Sequence, residues 1–520
     1  MKDKQENYIE TIKKNIKFFY IHIIATAIAL CSPNNDLWFL ISSGRVVQNF
    51  GFITKEMLTF HTNFDIIVQQ WPVTLLFSFL YDTFGMLGVI IVVSFTACII
   101  AFLIFKIINL ICKNKQLSIV YTAILFVFFS LFITTRPYVF STVFLLLFIY
   151  GLEAYIATNN KKYLYLLPLA SVLLINFHAS IWFMLFVLFL PYLVDMIQIP
   201  FIKTRYYIHD KYNKKPVFIA VLLMFFMGII NPYGTKAMFY VFKSYGIPEI
   251  SNYVGEMKAL FYSPYAWNFI IISFVLVIFV FFTRAITKTK NFKLRYIYMV
   301  LGTFIMLLLN RRNLIFFIIG IVCELGYCLK SINSVEVSSR NGKKNYLLNF
   351  IIYIFIFVHG VMGGISYHSL LNTTPEYEKI FNYIKQYQES NIVLYTDYNT
   401  GGHAEFYGFH PFIDPRAEVF LKANNNCEDV YIEYINLISN KSSYEDFMNK
   451  YRFTHLIVEN NNDKYMKKHL MQDERYEAVV EDDGYILYQI KNIKISRRER
   501  NDEEKNCNYW CWTCGFERCV

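Results

Sequence analysis

Long apolar runs broken by short polar segments fill the first 367 residues of the chain. Eleven of these runs approach or reach the roughly 17–25 residues that a helix needs to cross about 30 Å of hydrocarbon. They lie at 16–32, 85–105, 117–133, 137–157, 162–177, 179–197, 215–231, 265–283, 294–310, 312–329 and 346–367. Two longer polar interruptions, 33–84 and 232–264, fall on the same side of this arrangement. Within the first, an amphipathic stretch at 65–82 is suited to the membrane interface or to packing on the bundle. Near residue 376 the pattern changes. A helical segment at 376–390 and strand-like segments at 392–398, 455–459, 476–481 and 485–490 predict a small α/β domain over 376–491. Residues 492–520 read as an added, flexible tail. The predicted fold class is an α-helical polytopic membrane protein of about 11 transmembrane helices with a small C-terminal extracytoplasmic α/β domain.

Composition supports this pattern. Of 520 residues, 55% are hydrophobic and only 17% are charged, against about 25% charged in soluble domains. That balance excludes a soluble enzyme, a disordered chain and a nucleic-acid-binding domain, although the net charge is +11. The basic residues are better read as topology. Up to the last span, alternate connections carry 24 Lys and Arg on one side and 8 on the other. By the positive-inside rule the N-terminus is cytoplasmic and residues 368–520 lie outside. The first apolar run lacks a small-residue cleavage site and reads as a retained span.

Ionisable groups beside hydrocarbon are costly and usually face protein, water or a ligand. Here they gather at the outer ends of the spans. Loop one holds Asn34-Asn35-Asp36-Leu37-Trp38, Gly44-Arg45, Glu56, His61 and Gln69-Gln70-Trp71. Other outer ends supply Arg136-Pro137, Asn176-Phe177-His178, Asn231-Pro232-Tyr233-Gly234, Glu256 and Asn310-Arg311-Arg312-Asn313. Arginines with a carboxylate opposite suit a phosphate-bearing substrate.

In order and spacing these motifs resemble the bacterial branch of the GT-C-type polytopic membrane glycosyltransferases, related in architecture to protein mannosyltransferases. Tyr398-Asn399-Thr400-Gly401-Gly402 and Phe412-Ile413-Asp414-Pro415-Arg416 resemble motifs of that branch's outer domain. The resemblance covers about 16–420. It implies transfer of a sugar from a polyprenyl-phosphate carrier, at the outer face of a bacterial plasma membrane, to an envelope glycan, lipid or protein. It further implies Asp36 as general base and Glu56 as a second acid that orients the acceptor or ligates a metal. Arg136, Arg311 and Arg312 would then bind the departing phosphate, with His178 as a further substrate contact. Some members bind a divalent metal such as Mg or Mn. Asp36 is preceded by Asn35 rather than by a second acid, so the metal ligands stay unassigned.

Each residue also has a structural reading. Asp36 after Pro33 suits an N-cap for a helix over 37–49, and the arginines suit snorkelling from helix ends. His178 suits bundle packing, Asn231–Gly234 a helix stop, and Asp482-Asp483-Gly484 a hairpin turn. His61, Glu256 and Gly401-Gly402 read as loop features. Cys31, Cys98, Cys112, Cys323 and Cys328 lie in or beside spans, where a thiol behaves as a small apolar group. Cys427 stands alone, and Cys507, Cys511, Cys514 and Cys519 cluster in the tail, where thiolate zinc, disulfides or an accidental extension all remain open. No P-loop, dinucleotide fingerprint, nucleophile elbow or His-Glu-x-x-His helix is present in the sequence. Two other classes stay open: a transporter or flippase of an envelope glycolipid, and a non-catalytic scaffold of the same fold. The charge bias predicts that a topology reporter fused after Lys491 reads outside the cytoplasm; a cytoplasmic signal would overturn the arrangement.

Overall fold

A computed structural model describes residues 34–197, 207–208, 210–263, 266–330, 377–387, 392–459, 464–482 and 484–491. The expected spans 16–32 and 346–367, Cys31 and the tail at 492–520 lie outside these residues.

Helix α1 (Asp36–Phe50) is almost wholly apolar on one side of Arg45 and is buried along most of its length. Its Gly44 lies so close to the next helix that a Cβ there would sit 2.1 Å from Thr74 O. Helix α2 (Trp71–Cys112) begins at the end of loop one, and at Gly85 it breaks, with φ 64 and ψ −158. Only glycine adopts that conformation readily. An outer segment therefore precedes a membrane-length one, and the amphipathic 65–82 stretch becomes a loop followed by this outer segment, packed on α1.

Six helices among the described residues are long and apolar enough to cross a membrane: α2, α3 (Lys115–Phe132), α4 (Tyr138–Thr158), α6 (Ala179–Ile197), α8 (Ala266–Ile286) and α10 (Arg311–Lys330). Between them lie α5 (Leu166–Phe177), α7 (Lys215–Met227) and α9 (Leu294–Leu309). These are apolar helices of 12, 13 and 16 residues. At about 1.5 Å per residue they fall short of a full crossing. Six spans, rather than the expected count of about eleven, are therefore what the described residues supply. They fit a membrane-embedded protein.

Burial separates the helices by position. Every residue of α10 from Leu314 to Leu329 is buried, which makes it the central helix. Helix α8 instead turns Trp267, Phe274 and Phe281 outward. At the expected inner end the packing is closed by charge. Arg295, 1% exposed, pairs with Glu153 at 3.1 Å, Asp195 at 3.1 Å and Asp210 at 2.7 Å. Tyr192 and Tyr296 donate to Glu153, and Tyr207 donates to Asp195. Arg284 pairs with the buried Glu324 nearby.

The C-terminal residues form a four-stranded sheet in the order β1 (Leu394–Tyr395), β2 (His455–Glu459), β4 (Tyr485–Ile490), β3 (Tyr476–Asp482). β1 runs parallel to β2, and the other pairs are antiparallel. Only two residues of the expected 392–398 strand join the ladder. Asp482 and Gly484 flank the β3–β4 connection, with Gly484 at φ 80.

Loop one is part of this domain's core. Phe64 and Ile66 pack with Phe412, Phe420 and Tyr431. Asp65 N donates to Asn425 O, and His61 Nε2 donates to Phe412 O at 3.0 Å. The His61 ring stacks on Phe64, with centroids 4.7 Å apart.

Burial lowers the His61 pKa to about 4, against the opposing pull of the Phe412 carbonyl. Burial also lowers His403 to about 3 and His455 to about 4. Below about pH 6.5 the unfolded chain takes up protons that these folded histidines refuse. Their stabilisation is thus complete above that pH and is lost as pH falls toward 4. At pH 5 His61 alone accounts for a loss of roughly 2 kcal/mol. Thermal melts at pH 7 and pH 5 should show the outer module weakened by acid, and His61→Gln should flatten that dependence. An equal shift in both proteins would contradict the assignment.

Candidate functional site

A cavity of about 630 Å³ lies between the C-terminal domain and the ends of the bundle helices next to it, the side expected to face outward. Its floor comes from segments that the apolar runs leave short and polar. Asn34–Asp36 opens α1, Arg136-Pro137 precedes α4, His178 precedes α6, and Arg311-Arg312 begins α10. The 3-10 turn Gly255–Met257 adds Glu256. Its roof comes from Tyr398, Arg416 and Glu418 of the outer domain, with Gln69 and Tyr240 at the junction.

Arg136 organises the floor. Its Nε lies 2.8 Å from Asp36 Oδ2 and donates to Asn34 Oδ1 at 2.9 Å, while Nη1 reaches both oxygens of Glu256 at 2.8 Å. Burial opposes the Arg136 charge, but Asp36 and Glu256 outweigh it and raise the pKa. Burial likewise opposes the Glu256 carboxylate, and Arg136 and Arg312 hold its pKa below the usual range. Asp36 occupies the first position of α1, where Asn35 is the cap residue, so its side chain is spent on Arg136 rather than on capping. Asp36 Oδ1 makes no hydrogen bond among the described residues, and the carboxylate is part of the cavity wall.

Asn310 turns the chain into α10 by accepting the Arg312 N–H at 2.9 Å, which sets the two arginines on different surfaces. Arg311 lies over the Phe269 ring at 4.6 Å, and Arg312 lies over Tyr138 at 4.4 Å. The Arg312 guanidinium donates to no acceptor among the described residues, and its Nε is buried without a partner. Burial opposes the Arg312 charge and the Tyr138 ring and Glu256 carboxylate offset that, but Nε is left without an acceptor. An anion with several oxygens is one ligand that supplies it.

His178 is 5% exposed. Its Nδ1 lies 2.8 Å from Ser141 Oγ, and Tyr138 packs edge-on against the ring. The Ser141 hydroxyl also donates to Pro137 O. With that proton committed, Nδ1 carries the ring proton and Nε2 is the acceptor. Burial, aided by the nearby Arg312 charge, lowers the His178 pKa to about 3.

Asp36, Arg136, His178, Arg311 and Arg312 therefore share one cavity. Glu56 does not line it. Its Oε1 accepts the N–H groups of Leu58 and Thr59 at 2.7 and 3.2 Å, and the side chain pairs with Arg416 at 3.0 Å, wholly buried. It stands behind the wall as a structural ion pair, because loop one folds back into the outer domain. A divalent metal finds no fit in the floor: both carboxylates are held by Arg136, and two further guanidiniums lie beside them. Among the described residues no three His, Cys, Asp or Glu side chains gather to hold a metal ion. Asn231 closes a turn after α7 by bonding Gly228 O, Gly234 O and Tyr233 N.

Glu256, picked out among the polar groups at the span ends but also read as a loop feature, lines the wall. Glu418 is a wall residue that the linear pattern did not single out. Glu418 follows the Phe412–Arg416 motif by two residues, and that adjacency was the available signal. No protein-family model matches the chain, and comparison with curated proteins finds no match.

The contrast between Glu56 and Asp36 is testable. Glu56→Ala strips a carboxylate from a buried pair and should cost about 3 kcal/mol of outer-module stability. Asp36→Asn keeps its size at a half-buried position and should cost far less. Thermal unfolding of the solubilised proteins measures both; equal melting temperatures would place Glu56 elsewhere than in the core.

Proposed function

We propose that this protein transfers a glycosyl group from a polyprenyl-phosphate sugar to an envelope glycan, lipid or protein acceptor. The observation that carries the reading is the Arg312 guanidinium, whose buried Nε lacks an acceptor among the described residues and which faces one cavity with Arg136, Arg311 and the Asp36 carboxylate. A phosphate ester set on Arg312 and Arg311 brings its anomeric carbon beside Asp36, which shares the floor with them. There the Asp36 carboxylate takes the proton of the acceptor hydroxyl while the hydroxyl oxygen bonds to the anomeric carbon. The carbon–oxygen bond to phosphate breaks with its electron pair moving to the lipid phosphate, and the guanidiniums stabilise the charge that develops. Neutral His178 offers Nε2 to a ligand hydroxyl. Glu56 acts in this account through Arg416, which it helps to fix, and not on the substrate.

Purified protein with labelled polyprenyl-phosphate sugars tests the reading. Asp36→Asn should lower turnover by about 10²–10⁴. Arg312→Ala should lower it by about 10²–10³. Unchanged transfer in Asp36→Asn would remove the base assignment. Substrate counterflow in vesicles without turnover would make the protein a transporter instead.

A further inference from the structure

The cavity has a second pole. Glu418 sits on the 3-10 turn Ala417–Phe420 of the outer domain, and two other segments converge on it. Tyr240, from the second outer loop, donates to Glu418 Oε1 at 3.1 Å. Gln69, from loop one, donates to the same oxygen at 3.4 Å. Gln69 is itself fixed, because its Oε1 accepts the Ser180 N–H at 3.2 Å and thereby turns its amide nitrogen toward Glu418. The turn is fixed as well: Asp414 Oδ1 accepts the Arg416 N–H at 2.7 Å, two residues before Glu418. Burial raises the Glu418 pKa, while Tyr240 and Arg416 work against it. No salt bridge reaches this carboxyl group among the described residues, unlike Asp36 and Glu256 in the floor. The wall around it carries the rings of Tyr398 and Tyr431, 6.1 Å apart and steeply inclined.

The two poles therefore differ in chemistry. The floor is cationic and suits an oxyanion. The roof offers one carboxyl group held by two neutral donors, the Gln69 amide and the Tyr240 hydroxyl, beside aromatic faces. A planar acceptor beside aromatic rings suits a compact group with several hydroxyls on one side and C–H bonds on the other. We infer that Glu418, oriented by Gln69 and Tyr240, is the specificity residue of a neutral-sugar subsite opposite the phosphate-binding arginines. The inference deepens the glycosyl-transfer reading and rests on it for the identity of the anion. It places the sugar of the donor under the outer domain and makes residues of that domain the ones that choose it.

Water-soluble probes separate this subsite from the transfer reaction. Full-length protein in detergent is titrated with inorganic phosphate, a neutral hexose 1-phosphate and the corresponding 2-amino sugar phosphate. The wild type should bind the hexose phosphate at least tenfold more tightly than inorganic phosphate. Glu418→Gln should remove about tenfold of that preference, since a charge-assisted hydrogen bond becomes a neutral one, and leave the phosphate affinity in place. Tyr240→Phe keeps the ring and should reduce the preference in the same direction, with a melting curve as control for folding. Arg312→Ala should weaken every probe alike. A preference that survives both Glu418→Gln and Tyr240→Phe overturns the inference, as does the absence of any preference in the wild type. A stronger preference for the amino sugar, lost in Glu418→Gln, would overturn it in favour of an ammonium site. Binding that follows the expected pattern without any transfer from polyprenyl-phosphate sugars would sink the reaction while leaving the subsite standing.

Discussion

One buried guanidinium holds the outer half of this molecule together. Arg416 lies among three carboxylates: Glu56 of loop one, and Glu405 and Asp414 of the C-terminal domain. One positive charge cannot balance three negative ones away from water, so at least one acid must hold its proton. Burial, with Asp414 beside it, raises the Glu405 pKa well above the usual range, and Glu405 is the group that stays neutral. What remains is a pair of ionic contacts, one reaching back to loop one and one within the domain. Those contacts fix the turn that carries Glu418 and close the cavity from above. The closure of the cavity therefore depends on an ion pair whose Glu56 half does not line it.

A second buried arginine does similar work at the far end of the bundle. Arg295 draws Glu153, Asp195 and Asp210 onto itself, and so ties α4, α6 and the segment before α7 to α9. Between these two hubs the packing is mainly apolar and centred on α10, with a few buried polar links such as Trp182 to Ser171 and Ser171 to Met224 O. The cavity lies at the Arg416 hub, between the C-terminal domain and the ends of the bundle helices next to it.

Much of the site was legible in the sequence because hydrocarbon makes polar groups conspicuous. Asp36, Arg136, His178, Arg311 and Arg312 interrupt or end apolar runs, and interruption is a linear signal. Glu56 was misplaced for the complementary reason. Its partner lies 360 residues away, and no local pattern shows which carboxylate a distant arginine will claim. Glu418 was missed because it sits in a soluble-type domain, where an acid stands out from nothing around it. Glu153, Asp195 and Glu324 carried the same signal as Asp36, each an acid within an apolar run, and they proved to be the inner network. Strands β2, β3 and β4 were readable as short strand-like runs bounded by polar segments. β1 lies inside the strand expected at 392–398, but its two-residue extent is set by its neighbour β2 and not by its own residues.

Loop one and its binding partners are made at very different times. His61 and Phe412 are separated by 351 residues, and their contact belongs to the core of the outer domain. At roughly 5–20 residues per second, synthesis leaves loop one waiting about 20–70 s for Phe412 and the residues after it that cover it. During that interval Phe60, Phe64 and Ile66 have no fold to enter while the intervening helices are inserted. The outer module is thus assembled last and from both ends of the chain. Residues 377–491 made alone would carry an open seam where loop one belongs.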